Sequence, residues 1–402
     1  IYAKCEWCSK EFMLVDTGGI EPETDDIILS QMKRQAELAI QKADVIIFVT
    51  DLRSGVTASD AEVASMLRKS GKPIVLCVNK CDSVGEPPIE IYDFYSLGVG
   101  DPIAVSSVHG HGTGDLLDEV FAKFPEDAGK DDYSDEYIKV AVIGKPNVGK
   151  SSLINRIAGE ERAIVSDIAG TTRDATDTIV EYGEDKFVFI DTAGIRKKSK
   201  VLEEIEKYSV LRAYMAVDRA DVCVIVIDAE VGFTEQDSKV AGYAHEQGKG
   251  CIVAVNKWDI IDKDSSTMDK YRKELEEKFS FMSYVPFAFI SAKTGQRVEK
   301  LYELIKYVNE QNSMRLSTGT LNDVLAYATS RVQPPSDKGK RLKIYYMTQP
   351  STKPPTFVTF VNKAELFHFS YQRYLENQIR QTFGLEGTPV RFIVRERGEN
   401  DK

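Results

Sequence analysis

The chain contains an internal duplication, which constrains its fold more than any other feature of the sequence. Four segments recur in the same order, and each second copy lies 175 to 185 residues after the first. The matching pairs are 12–20 with 187–195, 43–51 with 220–228, 78–82 with 255–259, and 105–107 with 290–292. A spacing of this length is too long for a solenoid repeat and predicts two copies of one domain.

Within each copy, short runs of β-branched residues alternate with longer amphipathic stretches. This alternation is typical of βαβ units, in which helices cover both faces of a parallel sheet. We therefore predict an α/β fold with a doubly wound parallel sheet in each copy. Ligands of such sheets bind at the carboxyl ends of the strands, and the repeated polar segments directly follow apolar runs.

The charge of the chain is unevenly distributed. The 402 residues carry a net charge of −11, from 52 Lys and Arg against 63 Asp and Glu. Residues 315–402 hold 14 basic and 8 acidic side chains, a net charge of +6, which leaves −17 on residues 1–314. The overall acidity therefore does not exclude a nucleic-acid partner. The longest apolar runs, such as Val222–Ile227, are too short to cross a bilayer.

The repeat and the charge distribution together predict four regions. They are an incomplete first copy at 1–123, an acidic linker at 124–137, a complete second copy at 138–312 and a basic domain at 313–402. The six cysteines are scattered along the chain, and three of them, Cys77, Cys223 and Cys251, lie in apolar runs, which favours a reducing, cytoplasmic environment.

Residues Gly144–Ser151 fit the pattern G-x-x-x-x-G-K-[ST] and lie between an apolar run and an amphipathic stretch. In this context the pattern predicts a phosphate-binding loop, because glycines let successive backbone N–H groups wrap the phosphates ahead of a helix N-terminus. Lys150 would neutralise the β- and γ-phosphates, and the Ser151 hydroxyl would ligate Mg²⁺. The predicted phosphate site comprises Gly144, Lys145, Pro146, Asn147, Val148, Gly149, Lys150, Ser151 and Ser152.

Two further motifs follow the next apolar runs. Asp191-x-x-Gly194 predicts a carboxylate that holds Mg²⁺ through water and an N–H group that reaches the γ-phosphate. In Asn256-Lys257-x-Asp259, the carboxylate can accept from the ring N–H and the exocyclic amine of guanine, a donor pair that adenine lacks. This motif predicts GTP rather than ATP. The predicted residues are Asp191, Thr192, Ala193, Gly194 and Ile195 near the γ-phosphate, and Asn256, Lys257, Asp259, Ser291, Ala292 and Lys293 near the base.

With these motifs in this order, the chain resembles the P-loop GTPases. Two such domains followed by a small basic domain, together with Gly170–Asp174 and the basic run Arg196–Lys200, resemble the Der or EngA family of ribosome-assembly GTPases. The resemblance implies two P-loop GTPase domains and a C-terminal KH-like α+β domain. It implies GTP as substrate, GDP as product and Mg²⁺ as cofactor, with Thr172 as the switch I threonine. It also implies the large ribosomal subunit and its rRNA as partners.

The residue after the second Asp-x-x-Gly motif is Ile195, where many GTPases carry a glutamine that positions the attacking water. A hydrocarbon cannot orient water, so slow intrinsic hydrolysis is predicted. GTPases similar to this chain place K⁺ between the phosphates with help from the P-loop asparagine, which is Asn147 here. The alternative is that Asn147 is a turn residue bonded within its own loop. The predicted catalytic residues are Lys150, Thr172, Gly194 and Asn147, and the predicted metal ligands are Ser151, Thr172 and Asp191 for Mg²⁺ and Asn147 for K⁺.

The first copy keeps only part of the nucleotide site. A phosphate loop equivalent to that of the second copy would precede residue 1. We therefore expect the sequence to be an N-terminally truncated form whose first copy binds GTP very weakly or not at all. The predicted half-site comprises Asp16, Thr17, Gly18, Gly19, Ile20, Asn79, Lys80 and Asp82.

The basic domain predicts the element order α-β-β-α-β, with a first helix at Thr320–Arg331 and strands at 341–347, 354–361 and 391–395. This order resembles the KH-like domain of the Der family. Gly384–Gly387 matches the KH G-x-x-G loop, but it precedes a strand and contains Glu386, so a helix C-cap and turn are predicted. RNA contact is expected at Lys338, Lys340, Arg341, Lys343 and Arg395, with a solvated surface as the alternative.

These features predict a cytoplasmic, monomeric GTPase without a membrane partner. Its GTP state would change domain packing and affinity for the large ribosomal subunit. The alternative is a nucleotide-gated RNA-binding scaffold that depends little on hydrolysis.

Overall fold

The computed structural model divides the chain into two compact units, residues 1–130 and 131–402. The division falls inside the segment that the sequence predicts as a linker. The described residues are 2–8, 10–17, 39–40, 43–82, 88–125, 133, 136–159, 163–166, 177–190, 205–262, 264, 266–337 and 339–397. Among these residues, no helix has both the length and the apolar character needed to cross a membrane.

The first unit contains an antiparallel hairpin and a three-stranded parallel sheet in the order β3-β4-β5. Thr57 and Asp60 form a reciprocal capping box that starts the helix Ala58–Lys69. Phe94, Leu76 and Ala64 are fully buried in its core. The strands are β1 (Tyr2–Trp7), β2 (Lys10–Val15), β3 (Ile46–Asp51), β4 (Ile74–Asn79) and β5 (Pro102–Ala104), and the helices are α1 (Ala58–Lys69) and α2 (Thr113–Ala122). Single 3-10 segments lie at Leu52–Ser54 and Ile89–Leu97.

The second copy of the repeat forms a seven-stranded sheet in the order β12-β11-β10-β6-β9-β8-β7. Four strands run parallel from β12 to β6, β9 joins them in parallel, and β7 and β8 add an antiparallel edge. The strands are β6 (Tyr137–Ile143), β7 (Ala163–Ser166), β8 (Thr178–Tyr182), β9 (Asp185–Phe189), β10 (Val222–Asp228), β11 (Gly250–Asn256) and β12 (Phe287–Phe289). The helices are α3 (Lys150–Ala158), α4 (Ile205–Arg219), α5 (Glu235–Glu246), α6 (Thr267–Lys278) and α7 (Glu299–Ser313).

Helices cover both faces of this sheet. Strands β10 and β11 are buried at all seven positions, as expected of parallel strands with two covered faces. Alternate residues of β10 join opposite cores, with Ile225 beside residues of α4, α5 and α6, and Val224 beside residues of α3 and α7. The predicted doubly wound α/β architecture is confirmed.

The C-terminal domain packs two helices against one face of a three-stranded sheet in the order β15-β16-β17. Strands β15 and β16 are antiparallel, and β16 and β17 are parallel. The elements are α8 (Thr318–Arg331), β13 (Ser336–Asp337), β14 (Lys340–Arg341), β15 (Ile344–Ser351), β16 (Thr356–Val361), α9 (Phe369–Phe383) and β17 (Arg391–Glu396). The predicted order is confirmed, but the first long strand begins at Ile344 rather than Arg341. Arg341 instead belongs to a short hairpin in which it pairs with Ser336.

Candidate nucleotide site

The predicted phosphate loop directly follows β6 at the carboxyl end of the sheet and leads into α3. Two of its glycines have positive φ values and no room for a side chain. A Cβ at Gly144 would lie 2.4 Å from the Val226 carbonyl oxygen, and one at Gly149 would lie 2.2 Å from Asn256 Nδ2. The loop therefore needs glycine at both ends, which allows the backbone to turn tightly between the strand and the helix.

Lys150 lies in the first turn of α3 and bends back over the loop. Its ammonium group donates to the carbonyl oxygens of Gly144 and Lys145, at 2.6 Å each. Burial lowers the pKa of Lys150 to about 8, an effect that the charge of Asp237 opposes. A phosphate oxygen would compete with these carbonyls for the ammonium group, and its negative charge would favour the exchange.

A buried carboxylate lies behind the phosphate loop. Asp237 accepts from the backbone N–H of Thr234 at 3.0 Å and from its hydroxyl at 2.6 Å, which caps α5. Lys145 Nζ lies 3.9 Å from Asp237 Oδ2, and the Asp237 side chain is fully buried. The pattern Gly-x-Thr-x-x-Asp occurs in both copies of the repeat, which is the signal by which sequence reasoning could have placed Asp237 at this site.

Asn256 joins the phosphate loop to the loop that follows β12. Its Nδ2 donates to the Val148 carbonyl at 2.8 Å, and its Oδ1 accepts from the Ala292 N–H at 2.9 Å. Asn256 is only 2% exposed, so both hydrogen bonds are shielded from water. The asparagine of the predicted base motif thus fixes two loops that a nucleotide would span.

The remaining residues of the base motif lie beside this pair of hydrogen bonds. Lys257 has a left-handed backbone conformation and donates to Asp228 Oδ2 at 2.5 Å. Burial by itself would raise the pKa of Asp228, but the Lys257 ammonium and the Glu230 N–H outweigh it and lower this pKa. Asp259 is half-buried in the 3-10 turn Trp258–Ile260.

The loop that carries Ser291, Ala292 and Lys293 is held from α3. Ser291 is fully buried, and its hydroxyl accepts from the Thr294 N–H at 3.1 Å. Arg156 donates to the Ala292 carbonyl at 3.3 Å and to the Lys293 carbonyl at 2.6 Å. Sequence reasoning missed Arg156, because a single arginine on the exposed side of a helix carries no motif.

The structure thus brings together the phosphate loop, the base motif and the Ser291 loop. Ser151 and Ser152 are exposed in the first turn of α3, and Asn147 is exposed with a left-handed backbone. The Ser151 hydroxyl is a hard oxygen donor of the kind that Mg²⁺ prefers. The predicted residues Thr172, Asp191, Thr192, Ala193, Gly194, Ile195, Gly18, Gly19 and Ile20 lie outside the described residues.

The asparagine and lysine of the base motif in the first unit make hydrogen bonds similar to those in the second copy, but an arginine lies beside its aspartate. Asn79 Oδ1 accepts from the Ser107 N–H at 3.1 Å, and Lys80 donates to Asp51 at 2.5 Å. The Ser106 hydroxyl, at 2.6 Å, and the Arg53 guanidinium, at 2.7 Å, both donate to Asp82 and lower its pKa. The position of Arg53 is occupied by a glutamate in the second copy. Asp16 and Thr17 of the predicted half-site follow β2.

Two protein-family models match parts of this chain. A model described as "50S ribosome-binding GTPase" matches residues 1–80 and 139–257. A second model, described as the KH-domain-like C-terminal domain of EngA bacterial GTPase enzymes, matches residues 315–395.

Relatives that match nearly the whole chain include three proteins named GTPase Der. A GTPase Der from Acetivibrio thermocellus is 63% identical over 99% of this chain and 90% of its own length. A GTPase Der from Ruminiclostridium cellulolyticum is 64% identical with the same coverage. A GTPase Der from Alkaliphilus oremlandii is 58% identical over 100% of this chain and 91% of its own length. The chain therefore belongs to the Der (EngA) family of GTPases, which combine tandem GTPase domains with a KH-like C-terminal domain.

Proposed function

We propose that the second GTPase domain binds and hydrolyses GTP, and that its nucleotide state controls the affinity of the chain for the large ribosomal subunit. The observation that supports this most directly is the pair of hydrogen bonds made by Asn256. Because they join the phosphate loop to the Ser291 loop, a guanine nucleotide spanning the two would contact one continuous, rigid frame. Switching would arise where the γ-phosphate orders the segments around Thr172 and Asp191–Ile195 and so changes domain packing.

The residues of the site would have separate roles in binding the phosphates, the base and Mg²⁺. Backbone N–H groups of the phosphate loop and the Lys150 ammonium would stabilise negative charge on the phosphates, and Asp259 would select guanine. Ser151 would hold Mg²⁺ together with Thr172 and Asp191. When bound, Mg²⁺ supplies charge neutralisation at the β- and γ-phosphate oxygens. Since Ile195 offers no group to orient water, hydrolysis by the chain alone would be slow.

Potassium would supply the further positive charge, with Asn147 as one of its ligands. The exposed Asn147 side chain supports this proposal, whereas the left-handed backbone of this residue equally suits a turn. Replacement of K⁺ by Na⁺ at constant ionic strength should lower the turnover number of the unmodified chain. The variant Asn147→Gly keeps the turn but lacks the amide, and should turn over equally slowly in both salts. An unchanged turnover number in Na⁺, or potassium stimulation that survives in Asn147→Gly, would exclude the ligand role.

The ribosomal part of the proposal is tested by co-sedimentation with isolated large subunits in GTP, GDP or a non-hydrolysable GTP analogue. Stable association with the analogue, together with release as GTP is consumed, would support switching. Association that persists unchanged during GTP turnover would favour the nucleotide-gated scaffold. Equal association in all three nucleotide conditions would contradict both.

A variant that changes the base selectivity of the second domain tests whether nucleotide bound there controls association with the large subunit. Xanthine has a carbonyl oxygen where guanine has its exocyclic amine, so an amide at position 259 would match xanthine and mismatch guanine. Asp259→Asn should therefore respond to xanthosine triphosphate and not to GTP in the co-sedimentation experiment. The matched control is Asp82→Asn in the first unit: a response to GTP that survives in Asp82→Asn and is lost in Asp259→Asn would assign the effect to the second domain.

A further inference from the structure

The loop that matches the KH G-x-x-G pattern is used for contact between domains of the second unit. Gly387 accepts from the Cys251 N–H at 2.6 Å and donates to the Tyr284 carbonyl at 2.8 Å. The Leu385 N–H donates to Gln311 Oε1 at 2.7 Å. Gly384 caps α9, as predicted. Because the GTPase domain occupies this loop, RNA contact by the C-terminal domain must use another surface.

The sheet of the C-terminal domain carries a row of aromatic and basic residues on the face opposite its helices. Tyr346, Phe360 and Arg395 are register partners across the three strands. Met347 and Val361, the residues next to Tyr346 and Phe360 in their strands, point into the core with α8 and α9. Since side chains alternate along a strand, the row lies on the other face.

The two rings of this row form a stacked pair. The centroids of Tyr346 and Phe360 lie 4.4 Å apart with an interplanar angle of 16°. Both residues are half-buried, whereas Arg395 is exposed. Ile393, two residues before Arg395, adds an apolar side chain that is 43% exposed.

A third ring lies next to this row. The pairing of β15 with β16 shifts between Ile344 and Tyr346, which makes Tyr345 the extra residue of a bulge. Tyr345 is 39% exposed. Lys343 Nζ lies 5.2 Å and Arg397 Cζ 6.0 Å from the centroid of its ring. We use the term aromatic platform for Lys343, Tyr345, Tyr346, Phe360, Arg395 and Arg397.

The charge of the platform is positive. Three of its six residues are cationic and none is acidic. The nearest carboxylate along β17 is Glu396, which is paired in register with the core residue Val361. Glu396 accepts from the Ala364 N–H at 2.7 Å and lies 3.9 Å from Lys363 Nζ, so it is engaged at the edge of the sheet.

We propose that the aromatic platform binds single-stranded RNA. Exposed rings on an open sheet stack with unpaired bases, and cations at the rim contact the phosphates. A duplex hides its base faces in its own stack, so it would use only the cations. The proposal deepens the proposed function, because it names the RNA-contacting surface of a chain proposed to bind the ribosome.

The test uses the full chain and a fluorescein-labelled oligouridylate of ten nucleotides, with binding followed by fluorescence anisotropy. Tyr345→Ala should weaken binding about tenfold or more, because one stacked base is lost. Tyr345→Trp should restore binding, which separates stacking from a loss of folding. Arg395→Ala should reduce the slope of log affinity against log salt by about 0.7, as expected for one phosphate contact on a single strand.

The matched control is a similar pair on the helical face of the same domain. Tyr327 is 54% exposed on α8, and Arg331 Cζ lies 5.4 Å from its ring centroid. Tyr327→Ala should leave oligonucleotide affinity within about twofold, since stacking is lost only at the platform. Equal weakening by Tyr327→Ala and Tyr345→Ala, or equal affinity for single-stranded and duplex RNA of the same length, would overturn the proposal.

Large-subunit co-sedimentation of the same variants separates the two proposals. Normal oligonucleotide binding with no ribosome association would contradict the proposed function and leave the platform standing. Loss of oligonucleotide binding in Tyr345→Ala with undiminished association would show that the ribosome is bound through another surface.

Discussion

Gly149 and Asn256 compete for the same space, which makes their variants strongly non-additive. The Asn256 amide group fills the position that a side chain at residue 149 would need, with Nδ2 only 2.2 Å from the ideal Cβ. The same Nδ2 donates to the Val148 carbonyl, and the same amide accepts from the Ala292 N–H. Gly149→Ala must therefore displace the amide and break both hydrogen bonds.

The expected free energies follow from these contacts. Asn256→Ala leaves one buried carbonyl and one buried N–H without a partner, which should cost about 2–4 kcal/mol. Gly149→Ala should cost a similar amount for the displaced amide, plus about 1–2 kcal/mol for an alanine at φ +97°. In the double variant no amide remains to be displaced, so only the backbone strain is added to the cost of Asn256→Ala. The loss in the free energy of unfolding of the double variant should therefore be smaller, by about 2 kcal/mol or more, than the sum of the losses in the two single variants.

The assay follows unfolding of the second GTPase domain alone. The chain has two tryptophans, and in a Trp7→Phe background the buried Trp258 reports urea unfolding of the domain that holds the site. Gly183→Ala is the matched control, because Gly183 also has a positive φ but no atom within 4 Å of the ideal Cβ. It should show the strain alone. Additivity of Gly149→Ala and Asn256→Ala to within about 0.5 kcal/mol would refute the shared-space argument.

Three further outcomes follow from the site and the core. The affinity for GDP should fall about tenfold between pH 7 and pH 9, because Lys150 has a pKa of about 8 and must be protonated to pair with phosphate. In Lys150→Arg the affinity for GDP should change much less over the same pH range. Arg156→Ala should speed release of a fluorescent GDP about tenfold in stopped-flow experiments, since it frees the carbonyl of Lys293; an unchanged rate would contradict this role. With a colorimetric thiol reagent, the exposed Cys8 should react in the native chain, whereas Cys223, whose pKa burial raises to about 12, should react only on unfolding.

The strand-end motifs could be predicted from sequence because their chemistry is local. A phosphate loop needs glycines and a lysine at fixed spacing, so Gly144, Gly149 and Lys150 can be recognised from the sequence alone. The parallel-sheet rule then brings Asn256 to the same edge, although the motifs are more than 100 residues apart in the chain. The duplication strengthened these predictions, because each copy served as a template for the other.

The supporting contacts could not be predicted, because they join residues of ordinary type over long sequence distances. Arg156 reaches the Lys293 carbonyl across 137 residues, and no periodicity marks it. Gly387 was correctly placed in a turn, but its hydrogen bond to Cys251 depends on how two domains dock. The aromatic platform likewise required the register of three strands, including a bulge that shifts the pairing beside Tyr346.

Strand β11 links the nucleotide site to the C-terminal domain. At its start the Cys251 N–H bonds to Gly387, and at its end Asn256 fixes the phosphate loop, roughly 17 Å away for five residues of extended chain. All seven of its residues are buried, and the strand lies between two parallel neighbours. Because its surroundings are closely packed, we expect the strand to move as a rigid element rather than to deform. The platform and the nucleotide site should therefore behave as one body.

This link predicts that nucleotide state affects two affinities differently. Oligonucleotide affinity at the platform should stay within about twofold in GTP, GDP or no nucleotide, because the platform is part of the body that holds the site. Large-subunit affinity should change with nucleotide, because the proposed function makes it depend also on the segments around Thr172 and Asp191, which would contact the γ-phosphate. Anisotropy and co-sedimentation on the same preparations measure both. If oligonucleotide affinity changed with nucleotide as strongly as large-subunit affinity, β11 would be part of the switch and the rigid-body argument would be wrong.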